Sequence, residues 1–509
     1  MGMYELLEKY VQKFNDQDEE LTVQHISNKE AYDWLKEQIP YFECSDKEVE
    51  ETYYFRWWVY RKHIKETPEG YIITEFLPDV YWAGKYNSIN CAAGHHIYEG
   101  RWLRNGDTYL NDYIRFWLKG SGNVRSYSTW IVDAIYQLCL TKGDFRMAVD
   151  LLPQMTENYE QWEKEQLHES GLFWSVDDRD AMEYSISGNG LRPTLNSYLY
   201  ADAVAISRIA DIAGDYQCAE KYRQKAEKIK RLVQEKLWDQ AAEFFKVIPL
   251  EKKEDPVEQW DFSQTEAKHN VREEIGFIPW CFHLPDAGYE KAWKQLTDKE
   301  GFAAPYGPTT AEQRHPRYNY EQPDHECLWN GPSWPFATTQ TLTAMANVIK
   351  DYQQSYVTKE EFYHIFSGYT HSHYRTLENG KKVNWLDENL DPYTGEWLSR
   401  RILEDWEWRE DKGGYERGKD YNHSAYADLV ISKIFGVEPQ ENGEIRIRPM
   451  IPGEWSCCRL EKIKCQGKEL SIIYDKTGEK YHREKGFQVW CNGECIHKSL
   501  YPEEIKVAR

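Results

Sequence analysis

Pro193-Thr-Leu195-Asn196-Ser-Tyr198-Leu199-Tyr-Ala-Asp-Ala203-Val-Ala-Ile206-Ser-Arg-Ile-Ala210-Asp-Ile-Ala-Gly214 reads as one helix with its start and its stop both written in. Pro193 suits a first-turn position, where its missing N–H costs nothing. Leu195, Leu199, Ala203, Ile206 and Ala210 fall on one side, and Gly214 ends the run. About 21 residues make a rod of ~30 Å. A charged helix over 215–236 follows directly, so the two form a hairpin. The same signals predict helices over 4–14, 29–38, 46–64 (capped at Ser45), 107–119, 127–141, 144–166, 273–283, 287–297, 334–350, 359–377 and 421–435. A strand is expected at 71–76. Antiparallel helix pairs with long loops on alternate connections imply a mainly α fold, a toroid of hairpins whose inner helices surround a concave site.

From Glu444 the period changes. Ile445-Arg-Ile447, Leu470-Ser-Ile-Ile-Tyr474 and Phe487-Gln-Val-Trp490 are short β-rich blocks between Gly-bearing turns such as Cys491-Asn492-Gly493. The expected division is a helical domain at 1–440 and a small antiparallel β domain at 441–509 packed on it.

The 509 residues, 41% hydrophobic and 29% charged, are enough for a large core. A formal charge of -22 excludes nucleic-acid binding through phosphate contacts. No run approaches the roughly 20 apolar residues of a membrane span, and Met1-Gly-Met-Tyr-Glu-Leu-Leu-Glu-Lys-Tyr10 breaks its apolar positions with charges, unlike a secretory signal. Eleven scattered cysteines, an odd number that includes adjacent Cys457 and Cys458, read as reduced thiols in a cytoplasm. No zinc-ligand spacing occurs, so no structural metal is expected; the acidic loops leave calcium open. The oligomeric state is not legible.

Twenty-one Trp and 37 Tyr exceed what a core needs, and Trp82, Trp174, Trp280, Trp329, Trp334, Trp385 and Trp397 lie in polar, Gly/Pro-rich segments. Aromatic rings outside helical stripes make stacking platforms for the C–H faces of sugars. Between two of them, Trp385-Leu-Asp-Glu388-Asn-Leu-Asp391-Pro392-Tyr393-Thr-Gly395-Glu396-Trp397 sets a carboxylate ahead of a turn. A second loop, Val176-Asp177-Asp178-Arg179-Asp180-Ala-Met-Glu183, carries four acids in seven residues. Their repulsion raises the pKa of whichever is most buried. A third, Ala304-Pro-Tyr306 to Trp334-Pro335, interleaves polar and aromatic groups, and His95, Glu99 and Trp102 share one face of a short helical stretch.

These residues carry a resemblance. Trp329-Asn330-Gly-Pro-Ser-Trp334-Pro335 resembles the Trp-x-Gly-Pro-x-Trp signature of bacterial glycoside hydrolases related to family 63, the mannosylglycerate and glucosylglycerate hydrolase group. Glu388-Asn-Leu-Asp-Pro-Tyr-Thr-Gly395 is similar to the stretch whose glutamate is the catalytic base there and in trehalases. Arg272-Glu-Glu274-Ile-Gly276 and Asn422-His423-Ser-Ala-Tyr-Ala-Asp428 also look like elements of six-hairpin glycosidases, and the β-rich tail resembles that superfamily's C-terminal domain.

The resemblance implies an (α/α)6 barrel of six helical hairpins and an inverting hydrolase of a small carbohydrate, needing no cofactor. Glu388 would be the base. The family's acid lies in a Gly-Leu-Asp-Asn-x-x-Arg-like loop that this chain lacks, so Asp177, Asp180 and Glu183 compete; we rank Asp180 first and Glu183 second. Arg56, His95 and Arg192 are expected to bind sugar hydroxyls or a carboxylate. Trp82, Trp329, Trp334 and Trp385 are expected to stack on the ring, and Asp177, Glu183, Asn196, Tyr306 and Asn330 complete the substrate-binding set. Two rivals stand beside this reading: a sugar epimerase using histidines such as His95 and His423, and a non-catalytic carbohydrate-binding protein.

Overall fold

A computed structural model describes residues 2–250, 270–319 and 324–508. The hairpin that opened the sequence reading is present as α8 (Pro193–Ala213) and α9 (Tyr216–Leu232), with Gly214 in the left-handed region at φ 78° between them. Before it come α1 (Met3–Asn15), α2 (Ala31–Gln38), α3 (Lys47–Lys62), α4 (Ala93–Gly100), α5 (Gly106–Leu118), α6 (Ile131–Lys142) and α7 (Arg146–Gln166). After it come α10 (Pro335–Asp351), α11 (Lys359–His371), α12 (Leu398–Asp405) and α13 (Tyr426–Asp428), the last running into a wider turn over Leu429–Ile434. The protein is mainly α with small antiparallel sheets.

Two expectations shift for local reasons. Residues 274–282 wind as a tighter 3-10 helix, because Pro279 inside the segment has no N–H to donate to an α ladder. The helix expected to begin at Ser45 is capped instead by Asp46, whose carboxylate accepts from the Glu48 and Val49 amides.

Packing follows a ring. α4 lies against α6, α6 against α8, α8 against the 274–282 segment, that segment against α10, α10 against the 429–434 turn, and α13 back against α4. A second set, α5, α7, α9 and α11, packs outside its partners, and α3 touches both α11 and α13. Among the described residues, the stretches just before α4, α6, α8, α10 and α13 line one cavity.

The tail forms two sheets. β1 (Tyr41–Cys44) heads a five-stranded antiparallel sheet completed by Cys457–Cys465, Lys468–Asp475, Gly486–Cys491 and Glu494–Ser499, with Tyr41 opposite Glu461 and Cys44 opposite Cys458. Its first strand thus comes from the N-terminal part of the chain, a pairing that no local pattern in 41–44 announces. All eleven cysteines are free thiols. Among the described residues no helix is long and apolar enough to cross a membrane.

Candidate active site

Glu388 is placed by what surrounds its loop. Asp391 accepts the Tyr393 and Thr394 amides at 2.8 and 2.9 Å, closing the turn, and Gly395 turns out of it at φ 73°, with the Tyr306 ring 2.6 Å from where a Cβ would stand. Leu390 exchanges both backbone hydrogen bonds with Ser333 at 3.0 Å. Asn389 reaches the Glu326 carbonyl at 3.1 Å and accepts from the Ser399 amide at 3.0 Å. The loop is thereby stitched to the segment leading into α10, and the Glu388 side chain turns into a cavity.

That cavity, about 220 Å³, opens at the entry end of the inner ring. Its wall includes Glu75, Phe76, Trp82, Cys91, Tyr127, Glu183, Glu326, Cys327, Trp334, Glu388, Arg417 and Tyr421. It is smaller than the roughly 300–1,000 Å³ of drug-sized pockets, a size for one sugar ring. Arg417 clamps the floor: one nitrogen donates to Glu326 at 2.8 Å and the other to Glu388, while the guanidinium lies 5.3 Å from the Trp82 ring centre. Cys327 Sγ donates to Glu388 at 3.5 Å. Burial pushes the Glu388 carboxyl up to about 7 against the opposing pull of Arg417.

Glu183 lines the same cavity. Burial first, then the negative charges of Asp178, Glu388 and Asp177, push it up to about 8. Its carbonyl accepts from the Trp329 amide at 3.1 Å. The residues two before and one after it, Ala181 and Tyr184, sit in the left-handed region at φ 56° and 60°. Neither is a glycine, so the backbone stores strain that aims this side chain.

The acids ranked first and second lie in different surroundings, Glu183 on the cavity wall and Asp180 away from it. Asp180 is absent from the cavity wall. Its carboxylate accepts from Arg192 Nε and Ser128 Oγ, both at 2.6 Å, and from Thr194, a saturated and buried cluster. Arg192 in turn binds the Gly188 carbonyl at 2.5 Å, and Asp177 accepts from Ser185 Oγ at 3.0 Å; neither lines the cavity.

Other expected residues lie off the cavity wall. Arg56 gives its guanidinium to Ser424 at 2.7–2.8 Å. His95 is wedged between the Trp130 and Phe336 rings at 4.9 and 4.7 Å, and burial holds it neutral. Asn196 binds the backbone of Phe173 and Arg192 at 2.8–2.9 Å, and the Asn330 carbonyl accepts from the Asn319 amide at 2.7 Å. Tyr306 lines a separate cleft behind the Glu388 loop. Trp385 stacks under Arg400 at 4.6 Å. Trp329 stands behind Trp334, stacked at 4.5 Å. Of the expected set, Trp82, Glu183, Trp334 and Glu388 share the cavity.

Sequence reasoning missed Glu75, Tyr421 and Arg417. Arg417 lies among the charges of 404–420, to which no sequence pattern gives a role, yet it is 2% exposed. A weak signal existed in Gly418, on which the cavity's back wall depends. A Cβ there would stand 1.9 Å from Asp387 Oδ1 and 3.5 Å from Glu388 Cγ, and Asp387 Oδ1 receives the Glu388 amide at 3.1 Å. Gly418→Ala is therefore expected to cost about 1–3 kcal/mol of stability by overpacking and to lower kcat by displacing Glu388. Thermal melts and steady-state kinetics on the same preparation check both effects.

The comparisons with known proteins bear on the family and the fold. A model of the glycosyl hydrolase family 65 C-terminal domain matches residues 439–497. A solved structure named sialidase is 38% identical over 99% of this chain, with a TM-score of 0.89; the match covers 44% of that longer chain. This chain thus spans under half the length of that relative. The family 78 rhamnosidase of Bacillus sp. GL1 (11% identity, TM-score 0.53, 86% of this chain and 40% of the other) and the α-L-rhamnosidase from Dictyoglumus thermophilum (11%, 0.52, 89% and 44%) show a shared fold. The model of the mannosylglycerate hydrolase MGH1-like glycoside hydrolase domain matches residues 85–424, two thirds of the chain and every inner helix up to the last, and the chain belongs to that glycoside hydrolase family.

Proposed function

We propose that the protein hydrolyses a small neutral glycoside with inversion, Glu183 acting as general acid and Glu388 as general base. The observation that carries the reading is the pairing of these two carboxyls in one aromatic-walled cavity sized for a single ring. Near neutral pH Glu183 keeps its proton, which passes to the glycosidic oxygen as the bond to the anomeric carbon breaks. Glu388, oriented by Arg417, takes a proton from a water that attacks that carbon from the other face. Inversion needs room for this water, so the carboxyls are expected roughly 6.5–9.5 Å apart across the bound ring. Trp82 and Trp334 supply the aromatic part of the wall against which the ring would pack.

The ring of inner-helix contacts supports an (α/α)6 barrel over residues 1–440. We assign 441–509 to a β domain that borrows residues 41–44 as its first strand. The eleven free thiols support a cytoplasmic setting. An epimerase reading finds less support, because neither His95 nor His423 lines the cavity. The name of the longer relative raises a sialic acid substrate. The lining Lys412 and Arg417 argue otherwise, since both already pair with Glu326 at 3.0 and 2.8 Å.

A panel of nitrophenyl glycosides and disaccharides, with the first-formed anomer followed by NMR, tests the proposal. The expected product has the anomeric configuration opposite to the substrate. Retention would remove the inverting mechanism, and no cleavage across the panel would remove the hydrolase assignment.

A further inference from the structure

Glu75 is one of four carboxyls on the cavity wall, with Glu183, Glu326 and Glu388, and the acid/base pair has no use for it. It is 2% exposed, two residues beyond the strand Gly70–Ile73, and its main-chain carbonyl is held by the Asn422 amide at 3.0 Å. The Tyr421 hydroxyl donates to one carboxyl oxygen at 2.5 Å. The Cys91 thiol lies 3.4 and 3.3 Å from the two oxygens. A thiol is a weak donor, so Oε2 retains most of its accepting capacity. Among the described residues no lysine, arginine or histidine forms an ion pair with Glu75, unlike Glu326 and Glu388 beside it. Burying a carboxyl without a cation is costly; the cost is met where a ligand brings the missing donors.

Two neighbouring hydroxyls of a sugar ring are such donors, spaced to meet both oxygens of one carboxyl. A ring that carries its own carboxylate is a poor guest. It would face Glu75, Glu183 and Glu388, while Lys412 and Arg417 are committed to Glu326 and Glu388. Burial also holds the lining His325 below its ordinary range, hence uncharged at neutral pH.

Resting on the hydrolase reading above, we propose that Glu75 is the group that recognises the sugar, accepting two adjacent hydroxyls of a neutral ring, so that the cavity takes neutral sugars with a free vicinal diol and rejects sugar acids. Burial pushes Glu75 up to about 7, so it is partly protonated at neutral pH and can also donate one bond to a ring oxygen.

The test is calorimetric titration of the full chain with glucose, mannose, rhamnose, their deoxy analogues, glucuronic acid and N-acetylneuraminic acid. Wild type, Glu75→Gln and Tyr421→Phe are compared, each first shown to be folded by near-UV circular dichroism. At least one neutral sugar should bind, Glu75→Gln should weaken it about tenfold or more, and that variant should lose the preference of wild type for the diol over its deoxy analogue. Tyr421→Phe, which frees Glu75 to move, should give a smaller loss; it carries the test if Glu75→Gln does not fold. Binding of either acid as tightly as the best neutral sugar overturns the proposal. So does an unchanged diol preference in Glu75→Gln, or the binding of no sugar by folded wild type. Sugar binding as expected with no glycoside cleaved would instead sink the hydrolase reading and leave the role of Glu75 standing.

Discussion

Glu388→Gln should lower kcat by about 10³-fold or more, within the 10²–10⁴-fold that general base catalysis supplies, while sugar binding and the melting temperature stay near those of the parent. Glutamine keeps the shape and one carbonyl oxygen for Arg417 and Cys327, but it cannot take a proton from water. The substitution leaves Arg417 its bond to Glu326 at 2.8 Å, so the floor of the cavity should hold. The distinguishing observation is rescue. A small anion such as azide, entering the space where water is activated, attacks without needing a base, and the product should be a glycosyl azide of inverted configuration. A variant with undiminished kcat would take Glu388 out of the mechanism, and a variant that is inactive because it is unfolded would show in the melt.

How much of this was readable beforehand divides by range. The α8–α9 hairpin, the turn after Glu388 and the change to β periodicity after Glu444 are local patterns, and each lies where the sequence put it. The pairing of Tyr41–Cys44 with Cys457–Cys465 joins segments over four hundred residues apart, and a four-residue strand, Tyr-Phe-Glu-Cys, carries no information about its partner. The acids illustrate the same limit at close range. Asp180 and Glu183 are three positions apart in one acidic loop, and composition treats them alike. What separates them is that Arg192, Ser128 and Thr194 converge on Asp180, while Glu183, flanked by left-handed Ala181 and Tyr184, lines the cavity with Glu388. Charge spacing cannot encode a backbone hand. Arg417 was hidden for a related reason: a long cation in a Gly-rich charged loop looks solvated until the loop folds inward.

The competing acids can therefore be told apart by experiment, and the leaving group is the instrument. Glu183→Gln should lower kcat/KM by about 10²–10⁴-fold on alkyl glycosides or disaccharides, whose departing alkoxide needs a proton. On a dinitrophenyl glycoside or a glycosyl fluoride, whose leaving group departs unprotonated, the loss should be far smaller. Asp180→Asn removes one partner of a buried pair and strands Arg192 without its counter-charge, a change expected to cost about 3–5 kcal/mol of stability, with equal loss of activity on good and poor leaving groups. The pH profile supplies an independent reading. Glu388 must be ionised to act, so activity should rise as pH passes about 7; Glu183 must be protonated, so activity should fall as pH passes about 8. The wild-type profile on a poor leaving group is thus a narrow bell between those values. In Glu183→Gln the alkaline limb should vanish while the acid limb remains, because, of the acid/base pair, only the base still titrates. An alkaline limb that persists in Glu183→Gln and disappears in Asp180→Asn would restore Asp180 to the acid role, and with it the order in which the sequence alone had placed them.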